Sequence, residues 1–315
     1  MEKMSPQSLK KIHPKAALLT DRPTEIFTFI LEAFEAQQKC TLISLVDIIQ
    51  GSSRALGAHM AVREDGLYCG FVSGGCVENA VAQEALTAIS ENKDRFCHFG
   101  KGSPHFDIVL PCGGGIKLAI HLLKDAKPIT EILSFLRQRK SCFLTYHPQE
   151  KSLTATYGKE KSGWTGNHFY IAYRPATRLF LSGGAYETEI LAEIADSAGF
   201  EVSHPATNTP NEILRHLEDW TDENTAIALL HHDPERELPI LEKALKTKAF
   251  YIGCLGSVQT HERRKKHLMN KGFSSQKIAK IHAPIGLFGP ARNARPLAVS
   301  IVAEIMKSAD NYSLP

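Results

Sequence analysis

Between Arg178 and Gly253 the chain alternates short apolar runs with helically spaced ones, and that alternation restricts the fold more than any other feature. Arg178 to Ser182 reads as a strand, about Glu187 to Ala198 as a helix, and Phe200 to Ser203 as a second strand. Thr225 to Leu230, about Pro234 to Leu245, and Ala249 to Gly253 repeat the order. Strands separated by helices and short turns imply βαβ units and a parallel sheet. Ligands of such sheets lie at the carboxyl ends of the strands, which puts the turns at Gly183, His231 and Gly253 on one rim.

The first half carries hairpin signals instead. From Pro23 to about Gln38, Ile26, Ile30, Leu31 and Phe34 recur at helical spacing, with Thr24 as a cap. Thr41 to Ile49 reads as a buried strand that Gly51-Ser52-Ser53 breaks. Ala58 to Arg63 and Leu67 to Val72 flank Asp65-Gly66, a hairpin signal because such a turn needs positive φ. After Ser73-Gly74-Gly75-Cys76, Val77 to Ser90 reads as a helix. Phe106 to Leu110 and Ile116 to Leu123 read as strands around Pro111-Cys112-Gly113-Gly114-Gly115. Lys151 to Asn167 is polar, with three glycines, and reads as a loop or hairpin; Arg174 to Thr177 reads as a linker. A chain of 315 residues exceeds the usual single core, so two domains are expected.

Composition removes several function classes. The hydrophobic share of 43% and charged share of 23% argue against disorder. A net charge of +3 is too small to imply nucleic acid or a membrane surface as partner. No run approaches the roughly 18 apolar residues of a membrane-spanning helix. The basic start, MEKMSPQSLKKIHPKAA, lacks the apolar run of a secretory signal. Seven scattered cysteines without a CxxC pair fit a reducing cytoplasm, not a disulfide framework or zinc ribbon.

Gly-rich turns that lead into helices leave N–H groups for an anion, and the helix field favours negative charge there. Ser73 to Cys76 sits at such a place, where a thiol is also biased towards the thiolate, a nucleophile and soft-metal ligand. The plainer alternative is that these glycines make tight turns and Cys76 is a small packed residue. His231-His232-Asp233 reads either as a metal or acid–base group or as a helix start with Asp233 as cap and Pro234 behind it. His261, within Thr260-His261-Glu262-Arg263-Arg264, lies on a basic helix, either on a solvated face or at a ligand.

Five of these segments, in order, resemble the XdhC/CoxI family. Gly70-Phe71-Val72-Ser73-Gly74-Gly75-Cys76-Val77-Glu78 is similar to its most specific signature, and Cys112-Gly113-Gly114-Gly115 to its second. In the later half, Ala249 to Gly253 through Leu255-Gly256-Ser257 and Thr260-His261, then Ile281 to Leu287, fit as well. The switch from hairpin signals to βαβ alternation near Pro175 predicts an α/β architecture, with an N-terminal α+β domain of the type the resemblance implies over residues 1–173, then a Rossmann-like parallel-sheet domain over 174–315. The resemblance implies a cytoplasmic, homo-oligomeric factor that binds molybdenum cofactor, assists its sulfuration, and inserts it into a xanthine-dehydrogenase-like client. A cysteine desulfurase is an expected further partner. Carried over by position, the binding residues are Ser73, Gly74, Gly75, Cys76, Glu78, Cys112, Gly113, Gly114, Gly256, Ser257 and His261. Cys76 and Cys112 would contact the molybdenum end.

The sequence also departs from a dinucleotide site. Gly183-Gly184-Ala185-Tyr186-Glu187-Thr188 has Ala185 where a glycine lets the backbone approach pyrophosphate, and Glu187 adds negative charge. His204 stands where a carboxylate would hold the ribose. Against the family pattern, Val258-Gln259 stands where a basic pair usually follows Gly-Ser, and Phe288-Gly289-Pro290 interrupts the segment after Leu287. An NAD(P)-dependent oxidoreductase is therefore the rival reading that these residues oppose. A scaffold docking on a dehydrogenase through Arg263 to Lys266 and Lys271 is the other.

Overall fold

The computed structural model describes residues 12–103, 113–205, 209–289, 291 and 293–313. The chain divides into two compact units, Met1–Pro175 and Ala176–Pro315.

In chain order, the first unit holds β1 (Lys15–Leu18), α1 (Pro23–Glu35), β2 (Cys40–Ile49), β3 (His59–Arg63), β4 (Leu67–Gly70) and α2 (Glu78–Glu91). There follow β5 (Arg95–Gly100), β6 (Gly115–Leu122), α3 (Lys127–Arg137), β7 (Cys142–His147), β8 (Ser152–Tyr157), β9 (Gly163–Thr165) and β10 (His168–Tyr173). One sheet has the order β1-β4-β3-β2-β6-β5; a second has the order β8-β7-β10-β9. The expected strand from Phe106 to Leu110 lies outside the described residues.

Strand β2 is apolar almost throughout because both its faces are covered. Cys40, Leu42 and Val46 join a core with α1, α3 and the four-stranded sheet. Ile43 and Leu45 point the other way, into a core against α2. The register with β6 shifts between Leu45 and Asp47, a bulge that bends the strand before its glycine break. The hairpin between β3 and β4 turns at Gly66, whose φ is +87°. Asp65 supports it through its side chain, accepting from Leu67 N at 3.1 Å.

The second unit contains β11 (Arg178–Gly183), α4 (Ala185–Ser197), β12 (Glu201–Ser203), α5 (Pro210–Trp220), β13 (Thr225–Leu230) and α6 (Pro234–Ala244). It continues with β14 (Tyr251–Cys254), α7 (Val258–Asn270), α8 (Ser275–Ile278), β15 (Ile281–His282) and α9 (Ala294–Ser313). Its sheet has the order β12-β11-β13-β14-β15, and every pairing is parallel. The order reverses between β11 and β13, so the ligand crevice of such a sheet opens there. Alternate residues of β11 and β13 fill two separate cores: Leu179, Leu181, Ala226 and Ala228 on one side, Phe180, Ile227 and Leu229 on the other. A strand buried on both faces needs an unbroken apolar run, which is why these strands are so legible.

Candidate functional site

In the first unit, three of the glycine turns converge. A Cβ on Gly74 would lie 3.6 Å from Ser53 Oγ, and one on Gly114 would lie 2.1 Å from Gly51 O. No side chain fits at Gly114, so the turn that begins β6 lies against the end of β2. The Arg54 guanidinium carbon lies over the Phe71 ring, 4.6 Å from its centroid, and so also joins the Ser53 loop to the segment that carries the Gly74 turn. Cys76 is exposed on the central turn, between exposed Gly75 and buried Val77. Cys112 lies outside the described residues, and Gly113 is exposed beside it.

Glu78 supports the central turn from within. It is 3% exposed. One of its oxygens accepts from Val72 N at 3.2 Å, Ser73 N at 2.8 Å and Ser73 Oγ at 2.8 Å. The other accepts from Ser73 Oγ at 2.9 Å and Val77 N at 3.2 Å. Ser73 Oγ in turn accepts from Cys76 N at 3.2 Å. Several N–H groups expected to be available to an outside anion thus serve an internal carboxylate. A hydrogen-bonded carboxylate next to the α2 N-terminus also uses the helix field that the sequence assigned to the thiol.

The remaining described thiols have other surroundings. Cys40, Cys69, Cys142 and Cys254 are buried, and Cys97 is half-buried. Burial pushes Cys40 up to about 12 and Cys69 to about 11, so both stay protonated and inert at neutral pH. Among the described residues, no group of three or more His, Cys, Asp or Glu side chains is placed to hold a metal ion.

In the second unit, Gly256 and Ser257 form the turn that leads into α7, and His261 follows within the helix. Ser257 caps α7, accepting from Thr260 N at 3.1 Å. His261 is buried and its Nδ1 has no partner among the described residues. Burial, followed by the Lys265 and Arg264 charges, lowers its pKa. The basic run behind it is not all surface. Arg264 is 4% exposed and forms an ion pair with Glu237, itself 1% exposed. The docking face proposed from Arg263 to Lys266 therefore loses its second arginine to the interior. His261, Arg264 and Leu268 are the buried residues of α7, and their spacing of three and four is the signal that separates Arg264 from its neighbours.

At the strand-order reversal, Ser182 Oγ lies 2.9 Å from His231 Nε2. Asp233 accepts from Glu235 N at 2.9 Å and caps α6 ahead of Pro234, which is the helix-start reading. A Cβ on Gly184 would lie 2.7 Å from Glu187 Oε2, so this carboxylate folds back over the glycine turn. It also lies 3.5 Å from His232 Nε2. His204 follows β12 and is exposed. Ile281 to Leu287 is explained by a residue the sequence did not flag. Glu304 of α9 accepts from Tyr251 OH at 2.7 Å, lies 3.0 Å from His282 Nδ1, and accepts from Gly286 N at 2.6 Å.

A mixed-sheet unit with an exposed cysteine turn, followed by a five-stranded parallel Rossmann unit, defines a two-domain class of protein. The profile of the XdhC and CoxI family matches residues 33–100, and that of the XdhC Rossmann domain matches residues 179–305. The chain belongs to the XdhC and CoxI family. It is 44% identical over 292 residues to the molybdenum cofactor insertion chaperone PaoD of Escherichia coli K12, covering 93% of this chain and 90% of that protein. It is 24% identical over 331 residues to a probable xanthine dehydrogenase subunit of Bacillus subtilis 168, covering 90% and 97%. A crystal structure described as a xanthine dehydrogenase from Bacillus halodurans superposes with a TM-score of 0.73 at 19% identity, over 92% of this chain and 96% of that one. At that identity the likeness concerns the fold. Among the described residues, no helix is long and apolar enough to cross a membrane.

Proposed function

We propose that this chain is a molybdenum cofactor insertion chaperone that binds the cofactor as cargo and delivers it to a xanthine-dehydrogenase-like client in the cytoplasm. The observation that carries this reading at the site is the exposed Cys76, held on a turn whose backbone donors are tied down by Glu78. Homology to a protein named for cofactor insertion supplies the cargo. A thiolate is a soft ligand suited to a metal–sulfur group, and an exposed one can release its cargo to a client. Cys112, Gly113 and Gly114 complete the proposed cradle, with Ser73, Gly74 and Gly75. Homo-oligomerisation and supply of sulfur by a cysteine desulfurase belong to the same proposal.

The Cys76→Ser variant is expected to melt like the parent and to carry less cofactor. Serine is nearly isosteric, but its hydroxyl stays protonated and is a poor soft-metal ligand. Cys40→Ser is the control: its site is fully buried, so it should lower the melting temperature and leave cargo content per folded molecule unchanged. The measurement is thermal melting beside molybdenum and pterin content after co-expression with a client dehydrogenase. Equal cargo and delivery in Cys76→Ser and parent would end the thiol assignment.

The second unit is proposed to work without NAD(P). Glu187 covers the glycine turn where pyrophosphate would lie, and a partly screened like charge there costs about 1 kcal/mol. Ala185 adds a Cβ to the same turn, and His204 cannot accept two ribose hydroxyls as a carboxylate does. Calorimetric titration should give a dissociation constant weaker than about 100 µM; micromolar binding would restore the oxidoreductase reading. Gly256, Ser257 and His261 remain proposed contacts for an unidentified ligand of this unit.

A further inference from the structure

Beside the Cys76 turn the first unit has a cleft of about 220 Å³ whose chemistry the cysteine does not explain. Pro23 and Ile26 line it from the first turns of α1, a helix whose N-cap, Arg22, makes no side-chain capping bond. The positive end of the α1 dipole therefore borders the cleft. Arg54 lines it too. Its guanidinium carbon lies over the Phe71 ring, 4.6 Å from the centroid, and one terminal nitrogen donates to Asp21 Oδ2 at 3.3 Å. Its Nε is buried and has no partner among the described residues. Asp21 also lines the cleft and is the ion-pair partner of Arg54; its side chain is 64% exposed, so solvent screens its charge and an anion can compete for the guanidinium.

His59 and Tyr173 form the floor. His59 is buried, with Nδ1 3.1 Å from Ser44 Oγ and Nε2 hydrogen-bonded to the Tyr173 hydroxyl. Burial, and then the Arg54 charge, push His59 down to about 4, so it is neutral at physiological pH. The cation of this cleft is thus Arg54, presented with a helix N-terminus and the hydroxyl-bearing residues Ser53 and Ser162. A rigid guanidinium edge beside a helix N-terminus is a recognition pattern for phosphate. Ser53 also joins the two regions, because its Oγ is the atom nearest a Cβ on Gly74.

We propose that the Arg54 cleft seats a phosphate monoester, the anionic end of the cofactor cargo, while its metal–sulfur end lies at Cys76; this rests on the chaperone reading. A free phosphate ion has the same chemistry, and the experiment separates the two sources. Inorganic phosphate is titrated calorimetrically into the full chain at fixed ionic strength, with chloride as control. The parent and Cys76→Ser should bind it alike. Arg54→Ala should bind it about tenfold or more weakly, the loss of a charge-assisted contact. Arg54→Lys should fall between, since an ammonium keeps the charge without the planar edge; it also serves if the alanine variant misfolds. After co-expression with a client, both Arg54 variants should hold less pterin than the parent.

Equal phosphate binding by parent and Arg54→Ala, or none by the parent, overturns the proposal. So does weakened phosphate binding with unchanged pterin content, which would mark a site for free phosphate only. A parent that holds no cofactor overturns the chaperone reading and the cargo assignment with it, while the titration still reports whether Arg54 is an oxyanion site.

Discussion

Glu237→Ala should cost about 3–5 kcal/mol of folding free energy, the largest single loss in the second unit, because it leaves Arg264 charged and buried without its counter-ion. Arg264 donates to both oxygens of Glu237, the Nη2 contact at 2.8 Å, and its Nη2 also donates to the carbonyl of Leu255, the residue that follows β14. The pair thereby fastens α6 and α7 to one strand end. Removal of a partner differs from removal of the pair. Glu237→Leu with Arg264→Met should recover most of the loss, since two apolar side chains of similar volume avoid the desolvation cost. Denaturant melting of the two single variants and the double variant checks this, and a loss under about 1 kcal/mol for Glu237→Ala would show that water reaches Arg264.

The pH dependence of the same group has a definite sign. Burial raises the Glu237 carboxyl, and the Arg264 hydrogen bond and charge offset this only in part. A carboxyl with a raised folded pKa contributes its stability below the unfolded value, about 4.3, and loses it as pH rises through the folded value. Ionised Glu237 is therefore a cost of folding at neutral pH, tolerated because Arg264 needs it.

Glu78→Ala should cost about 3 kcal/mol, and the damage should concentrate at the Cys76 turn. The substitution strands Val72 N and Ser73 N, which are buried and bonded to the carboxylate, together with Val77 N. Ser73 Oγ also loses the acceptor that orients it towards Cys76 N. Cargo retention should fall further than the melting temperature alone accounts for, because a loosened turn no longer places the sulfur. Glu78→Gln separates charge from shape: it keeps one acceptor oxygen but points an amide donor at other donors, so a partial loss is expected. Comparison of melting temperature and pterin content across Cys76→Ser, Glu78→Gln and Glu78→Ala checks the assignment. A stable Glu78→Ala protein with full cargo would mean that the turn holds its shape without the carboxylate.

The parts legible in the sequence were those written as periodicity. The doubly buried strands Cys40–Ile49 and Thr225–Leu230 stand out as apolar runs, and Gly66 marks its hairpin. The four-stranded sheet was much less legible. β8 and β9 lie at its edges with mostly solvent-facing side chains, so the Lys151 to Asn167 region lacks the apolar signal of a strand. The site was legible as turns but not as a network. Glu78 stood out by its place in a motif, but nothing in the sequence says that its oxygens face inwards. Glu237 and Arg264 are 27 positions apart, and His59 and Tyr173 are 114 apart. Such pairs leave no periodic trace, because tertiary packing alone brings them together.

Strand β2 also bears on how this sequence can vary. Its successive side chains belong to different cores, one shared with α1 and the other with α2. A change of volume on one face shifts a backbone that the opposite face has already fitted, so repacking one core disturbs its neighbour. Tolerance to substitution should therefore be lowest along Cys40 to Leu45. The loop that follows β2, with Ser53 and Arg54, borders the Cys76 turn and the cleft while contributing little to either interior. A substitution there should therefore alter the surface beside the turn and the cleft without forcing either core to repack.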